Sequence, residues 1–296
     1  MKILCIGNAT WDRIFNVAEI PSEATKYFST SYHEIGGGVA ATAAVAIAKL
    51  GSDVSLLARL GDDNVGRTIT EDLKDWGVDT SLLQVFENRS SSNAVVNVDT
   101  AGERQITVHR DPHLPTSAEW MTESLLDDVD CVLCDCTWGE GAEKLLSMAK
   151  ARGIPSVVDA DLGGETMVNL LKVGAHVAFS YPALCQLTNE TDVTKALQVA
   201  QQQTEGTVYV TRGEEGCYWL ENNELKHASG YSVNVVDTTG AGDVFHGALA
   251  FAVAKGNSGE TAVTFANAVA ALKCTKPGGR AGIPSYEQVI EFIKSH

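Results

Sequence analysis

Short, uninterrupted apolar runs recur along the whole chain, with helix-forming stretches between them. The runs lie at residues 3–6, 53–58, 131–135, 156–159, 176–179 and 207–211, and the helical stretches include residues 38–50, 64–76, 139–151 and 194–203. A strand that is apolar on both sides must be covered on both sides. The pattern therefore predicts an α/β fold: a mostly parallel sheet sandwiched between two helical layers. In such sheets ligands gather beyond the C-terminal ends of the strands. Asp12, Asp135, Asp159 and Thr211 each stand at or just past the end of an apolar run.

Two regions break the pattern. Residues 13–17 and 27–32 alternate with period two, as do 94–98 and 105–108 around a turn at Thr100-Ala101-Gly102. Both regions read as hairpins. The segments 12–34 and 90–109 form either one small sheet or two separate surface flaps. Without a repeat, linker or low-complexity tract, residues 1–296 are read as a single domain.

Charge narrows the function. Acidic residues outnumber basic ones, 38 to 22, for a net charge of -16. No Lys/Arg cluster offers a footprint for nucleic acid. A phosphorylated ligand must therefore be met by local amides and a few cations. The seven cysteines are odd in number and set in apolar contexts, which points to reduced thiols and a cytoplasmic protein. Cys131, Cys134 and Cys136 read as strand residues in preference to a zinc site. The first residues lack the features of a signal peptide, and no run reaches the roughly 18 apolar residues of a membrane span.

The densest motif is Asp237-Thr238-Thr239-Gly240-Ala241-Gly242-Asp243, followed by the apolar run 244–254. It reads as a tight turn into a buried helix. The amides of Gly240, Ala241 and Gly242 then sit at a helix N-terminus, where unpaired N–H groups favour an anion. Asp243 shares that turn and is placed to take a proton from a hydroxyl. The plainer alternative is a glycine turn with an acidic cap. Gly36-Gly37-Gly38 opens the first long helix and gives either close ligand approach or close packing. No Gly-Lys-Ser/Thr follows it, and Gly7 opens no dinucleotide loop.

These motifs, in this order, resemble the ribokinase-like (PfkB) carbohydrate kinases along nearly the whole chain. The resemblance implies a three-layer α/β/α kinase domain with a β-sheet lid, ATP and Mg2+ as cosubstrate and metal, and a homodimer formed through the lid. It makes Asp243 the catalytic base and the Gly240, Ala241 and Gly242 amides the anion hole. It puts Gly36, Gly37 and Gly38 under the sugar and Asp12 on the sugar hydroxyls. It puts Thr211, Gly213 and Gly216 on the phosphates, and Asn267, Cys274 and Gly278 beside the adenine. Many members respond to K+, for which the Asp237–Thr239 loop is the expected place. Two departures stand out: Ala41 where an Asn is common, and Ser180-Tyr181-Pro182-Ala183 where the family often has Asn-x-x-Glu.

The stretch 235–284 looks most like the bacterial kinases of 6-deoxy-6-sulfofructose. Of their three sulfonate readers only Lys26 is matched here; the others fall near Val108 and at Thr137, with Arg110 and His109 close enough to compensate. The alternatives are a fructose-like ketohexose or nucleoside as acceptor, or a sugar- or nucleotide-sensing protein without catalysis.

Overall fold

The computed structural model describes residues 1–161 and 163–296. The chain opens with β1 (Lys2–Gly7), β2 (Thr10–Asn16), β3 (Ser31–Gly37), α1 (Val39–Lys49), β4 (Asp53–Gly61) and α2 (Asn64–Asp75). It continues with β5 (Gln84–Phe86), β6 (Asn93–Val98), β7 (Arg104–His109), β8 (Cys131–Cys134), α3 (Gly139–Ala151) and β9 (Ser156–Ala160). Then follow α4 (Gly164–Val173), β10 (His176–Ser180), α5 (Tyr181–Thr188), α6 (Val193–Gln201), β11 (Thr207–Thr211), β12 (Cys217–Glu221) and β13 (Glu224–Ala228). The last three helices are α7 (Ala241–Ala254), α8 (Gly259–Cys274) and α9 (Tyr286–Ser295).

The large sheet has nine strands in the order β13-β12-β11-β10-β9-β8-β1-β4-β5. Pairing is parallel from β5 across to β11 and antiparallel through β12 and β13. The period of two along each strand divides the interior into two cores. On β1, Ile3 and Cys5 enter a core shared with α1, α2, α7, α8 and α9. Leu4 and Ile6 enter the opposite core, with α3, α4, α5 and α6. This is the doubly covered parallel sheet that the apolar runs predict. Helix α7 is buried from Val244 to Val253, because it lies between α1, α8 and the ends of β8 and β9. Gly247 permits this: a Cβ there would come within 2.6 Å of the Ala43 carbonyl oxygen.

The two hairpins form one sheet, ordered β3-β2-β6-β7. Strands β2 and β6 pair in parallel from Trp11–Asn93 to Asn16–Val98 and join the halves. One boundary needs correcting. The return strand of the first hairpin is Ser31–Gly37, not residues 27–32. Its partner β2 begins at Thr10, and the register Thr10–Gly37 to Asn16–Ser31 uses up residues 31–37. Residues before it form a loop, in which the Tyr27 hydroxyl accepts the amides of Ser22 and Glu23. As a result Gly36 and Gly37 end a strand and do not open a helix; Gly38 alone is the N-cap of α1.

Candidate active site

The loop before α7 is held by Asp237. Its carboxylate accepts the amides of Thr239 (2.8 Å), Gly278 (3.1 Å) and Gly279 (3.2 Å). Burial opposes its ionisation, yet these hydrogen bonds and the nearby Lys273 charge bring it down to about 2. The loop ends at Gly240, whose left-handed backbone (φ 74°) turns the chain into α7. Glycine is suited to that conformation. The Ala241 amide departs from expectation: it donates to the Thr238 carbonyl (3.1 Å) and closes the turn, so it is not free for an anion. Among the described residues, the Gly242 and Asp243 amides have no backbone acceptor. The Gly240 amide has none either, so of the three donors that the motif suggests only Ala241 is spent, and the Asp243 amide joins the open ones.

Asp243 is half-buried in the first turn of α7. Below it, one helical turn on, lies His246, buried within an otherwise apolar helix. His246 Nδ1 is 2.7 Å from Asp159 Oδ2, and Nε2 is 3.1 Å from the Ala178 carbonyl oxygen. Nε2 makes a hydrogen bond, whereas Nδ1 has only the ion-pair contact with the Asp159 carboxylate, a close negative charge that favours the imidazolium. Burial disfavours that charge, but Asp159 and the Ala178 carbonyl prevail and push its pKa up to about 9. Burial also acts on Asp243. With the charge of Asp159 added, it raises the Asp243 carboxyl to about 7, although His246 and Arg280 pull the other way. A carboxylate tuned near neutrality beside open helix amides can take a proton from a hydroxyl.

Asp135 ties the floor together. Its buried carboxylate accepts the amides of Asn8 (2.7 Å), Ala40 (3.1 Å) and Thr137 (2.8 Å), and the Thr137 hydroxyl. That joins the ends of β1 and β8 to the start of α1. It also alters the reading of Thr137, whose hydroxyl and amide both donate to Asp135 and are not turned to a ligand.

On the lid side, Asp12 of β2 accepts from the Thr10 hydroxyl (3.0 Å). Burial raises its pKa, while Thr10 and Arg280 work against the rise. Arg280 is buried and lies just past α8. It pairs with Asp72, donates to the Gly37 carbonyl (2.7 Å) and reaches the Thr42 hydroxyl (3.4 Å). One guanidinium thus ties β3, α1 and α2, and its charge acts on Asp12 and Asp243 alike. This explains the glycine run. A Cβ at Gly36 would lie 2.1 Å from Arg280 and one at Gly37 2.3 Å from Asp12, while one at Gly38 would meet the Asn8 carbonyl at 2.6 Å. The space that a Cβ would take at these glycines is filled by protein atoms, among them the charged groups of Arg280 and Asp12.

A cavity of about 380 Å³ opens on the other side of the α7 start. It collects Thr211, Gly213, Gly216, Gly242, Asn267 and Cys274 from the predicted nucleotide side, with apolar walls from Tyr231, Val233 and Phe245. Two details differ from expectation. The Asn267 amide group is already committed, donating to the Ala228 and Ser229 carbonyls. Gly278 lies outside the lining, its amide bound to Asp237. A larger groove of about 470 Å³ lies near Phe251, Lys255 and Tyr286. It begins eight residues along α7 from Asp243, roughly 12 Å away, and has no link to this chemistry.

Lys26 sits in the β2–β3 connection and Arg110 just past β7; both are exposed. Ser180 caps α5 and donates to Asp161 (2.8 Å), an exposed carboxylate near Thr211 at the strand ends. Cys131 and Cys134 belong to opposite cores, so they cannot converge on one metal. Asp135 and Asp159 were legible as strand-end acids, but their partners were not. His246 and Arg280 were missed. A histidine inside an apolar helix and an arginine after a double glycine were the available signals.

The sequence of residues 1–285 matches the description of the pfkB family carbohydrate kinases. The chain is 25% identical over 297 residues to the ribokinase of Haemophilus influenzae, covering 98% of this chain and 97% of that one. It is 28% identical to a fructokinase of Vibrio alginolyticus, covering 89% and 93%. Among solved structures, a candidate ribokinase from Agrobacterium tumefaciens superposes with a TM-score of 0.95 at 34% identity, covering 99% and 97%. An Arabidopsis thaliana ribokinase complexed with ribose and ATP gives 0.88 at 25%, covering 99% and 98%.

Proposed function

The chain belongs to the pfkB family of carbohydrate kinases, and on that premise we propose that it moves the γ-phosphoryl group of ATP to a primary hydroxyl of a furanose or ketose sugar. The observation that carries this reading is Asp243: a carboxyl at about 7, in the helix turn whose Gly242 and Asp243 amides are open. Asp12 holds the sugar hydroxyls on the lid side. Asp243 takes the proton of the attacking hydroxyl. The amides of Gly242 and Asp243, with Gly240 shaping the turn, bind the phosphoryl oxygens as charge builds on them. Thr211, Gly213 and Gly216 border the phosphates, and the apolar end of the cavity beside Cys274 receives the base.

Mg2+ arrives with ATP and offsets phosphate charge. Asp161, exposed and already bonded to Ser180, suits a contact to its water shell. Closure of the four-stranded lid keeps water from the γ-phosphate. A lid with exposed Tyr32 and Val95 on its strands, and Phe28 in the loop before β3, suits a homodimer, which light scattering tests directly.

On the acceptor, Ile106 and Val108 pair in register with Val96 and Ala94, on the same lid face as Asp12. That apolar surface favours a neutral furanose such as a pentose or fructose. A second reading, a sulfonated ketose, draws on the exposed cations Lys26 and Arg110 flanking the lid. Coupled ATP turnover across ribose, fructose, nucleosides and 6-deoxy-6-sulfofructose decides between them. For a neutral acceptor, Lys26→Met and Arg110→Met leave kcat/KM within about twofold; for a sulfonate, one of them loses about 10–100-fold with the sulfonated sugar only. No turnover with any sugar would favour the sensor reading.

A further inference from the structure

Lys273, in the last turn of α8, is fully buried. Lysine is almost never fully buried without a partner. Its Nζ donates to the Asp237 carbonyl oxygen at 2.8 Å and lies 3.6 Å from Asp237 Oδ2. On the other side of the same carboxylate, Arg104 of lid strand β7 comes within 3.8 Å of Oδ1. The Asp237 carboxylate also accepts the Thr239, Gly278 and Gly279 amides. This is the loop in which the family resemblance places an activating K+. The oxygens of Asp237 that a free cation would use there are already engaged by a tethered ammonium and by backbone N–H groups. A potassium ion on them would meet Lys273 and Arg104 at contact range, which like-charge repulsion opposes. The residues present therefore do not fit the ion.

We propose that the Lys273 ammonium is a built-in replacement for the monovalent cation, holding the Asp237–Thr239 loop so that the α7 amides are set for the phosphoryl group without potassium. An alkylammonium and potassium carry the same single charge, and both sit on carbonyl and carboxylate oxygens. Tethering the charge to α8 removes its dependence on salt, and the C-terminal end of a helix favours a cation. Lys273 is then a positioning residue, acting on the phosphoryl group through the loop. The inference rests on the kinase reading for its catalytic consequence, but its structural part can be tested without turnover.

Melting curves of the parent protein, without sugar or nucleotide, are compared in KCl and in tetramethylammonium chloride at equal ionic strength. The parent is expected to show no difference, whereas Lys273→Met should melt higher in KCl, because only the variant gains a cation site. Turnover of the parent should stay within about twofold between the two salts, and Lys273→Met should lose about 10–100-fold, largely restored by K+, NH4+ or methylammonium. A helix cap with no further role would give a loss that no small cation restores. The proposal is overturned if K+ raises the melting temperature or turnover of the parent. A folded Lys273→Met with full turnover, or with a loss that no small cation restores, also overturns it. If Lys273→Met does not fold, the salt response of the parent decides. If no sugar is turned over, the melting curves decide, and the failure lies with the kinase reading alone.

Discussion

The two sheets of this molecule carry the two halves of the candidate site on opposite physical terms. The floor, at the ends of β8 and β9 and the start of α7, is buried and almost fully paired: Asp135 accepts three amides and a hydroxyl, and Asp159 holds His246. The lid is thin. Strand β7 is exposed at every residue, and Ile106 and Val108 remain about half open. Groups that tune a proton must be fixed before the substrate arrives, because their effect depends on excluded water and set distances. A surface that admits and then encloses a sugar must be able to move, and sparse burial lets it do so. Arg280 and Arg104 join the halves, the first by the Gly37 carbonyl and the second by Asp237.

The largest expected effect falls on the floor. Asp243→Asn keeps the shape but removes the base, so kcat should fall about 10²–10⁴-fold with little change in ligand binding. In the parent, kcat/KM should decline as pH drops below about 7, where Asp243 takes up its proton. Steady-state rates and calorimetric binding check both. A variant with parental turnover would remove Asp243 from the mechanism and leave the floor as scaffold.

Next is the staple between the regions. Arg280→Met strips the partner from Asp72 and the donor from Gly37. Breaking a buried pair from one side costs roughly 3–5 kcal/mol, to be read from urea unfolding. A loss no larger than that of a surface mutation would show that lid and floor are coupled by something else.

A smaller effect distinguishes the floor by its pH response. His246 is pushed up to about 9 from its ordinary 6.5, so its stabilising contribution is complete below about 6.5 and lost as pH rises through 9. Asp243, raised from 3.8 to about 7, adds a loss in the same direction between those values. Melting temperature should therefore fall from pH 6.5 to 9, and less steeply in His246→Asn. Equal slopes in parent and variant would mean that the Asp159–His246 pair does not hold a proton.

The smallest effect belongs to the lid. Limited proteolysis should cut first near Ala101-Gly102, in the exposed β6–β7 turn, and saturating sugar with a nonhydrolysable ATP analogue should slow the cut severalfold. Protection without ligand would put the lid on the same rigid terms as the floor. Light scattering run alongside shows whether a dimer covers the turn.

The sequence by itself determined the covered parallel sheet, because a strand apolar on both faces has few other places to go. It determined a tight glycine turn ahead of α7 and the placement of Asp243 in the first turn of that helix, because glycine geometry and an apolar helix act over a few residues. The two hairpins were legible as hairpins, though not their boundaries, since strand ends follow pairing register and not composition. Only the tertiary structure decided who partners whom across the chain. It decided that Thr137 and Asn267 spend their donors inside the protein, that the glycines at 36 and 37 make room for Arg280 and Asp12, and that His246 meets Asp159. It also placed the buried ammonium of Lys273 on Asp237, thirty-six positions earlier in the chain. These are charge and hydrogen-bond pairings between distant segments. Their energy depends on distance and burial, which local pattern does not record.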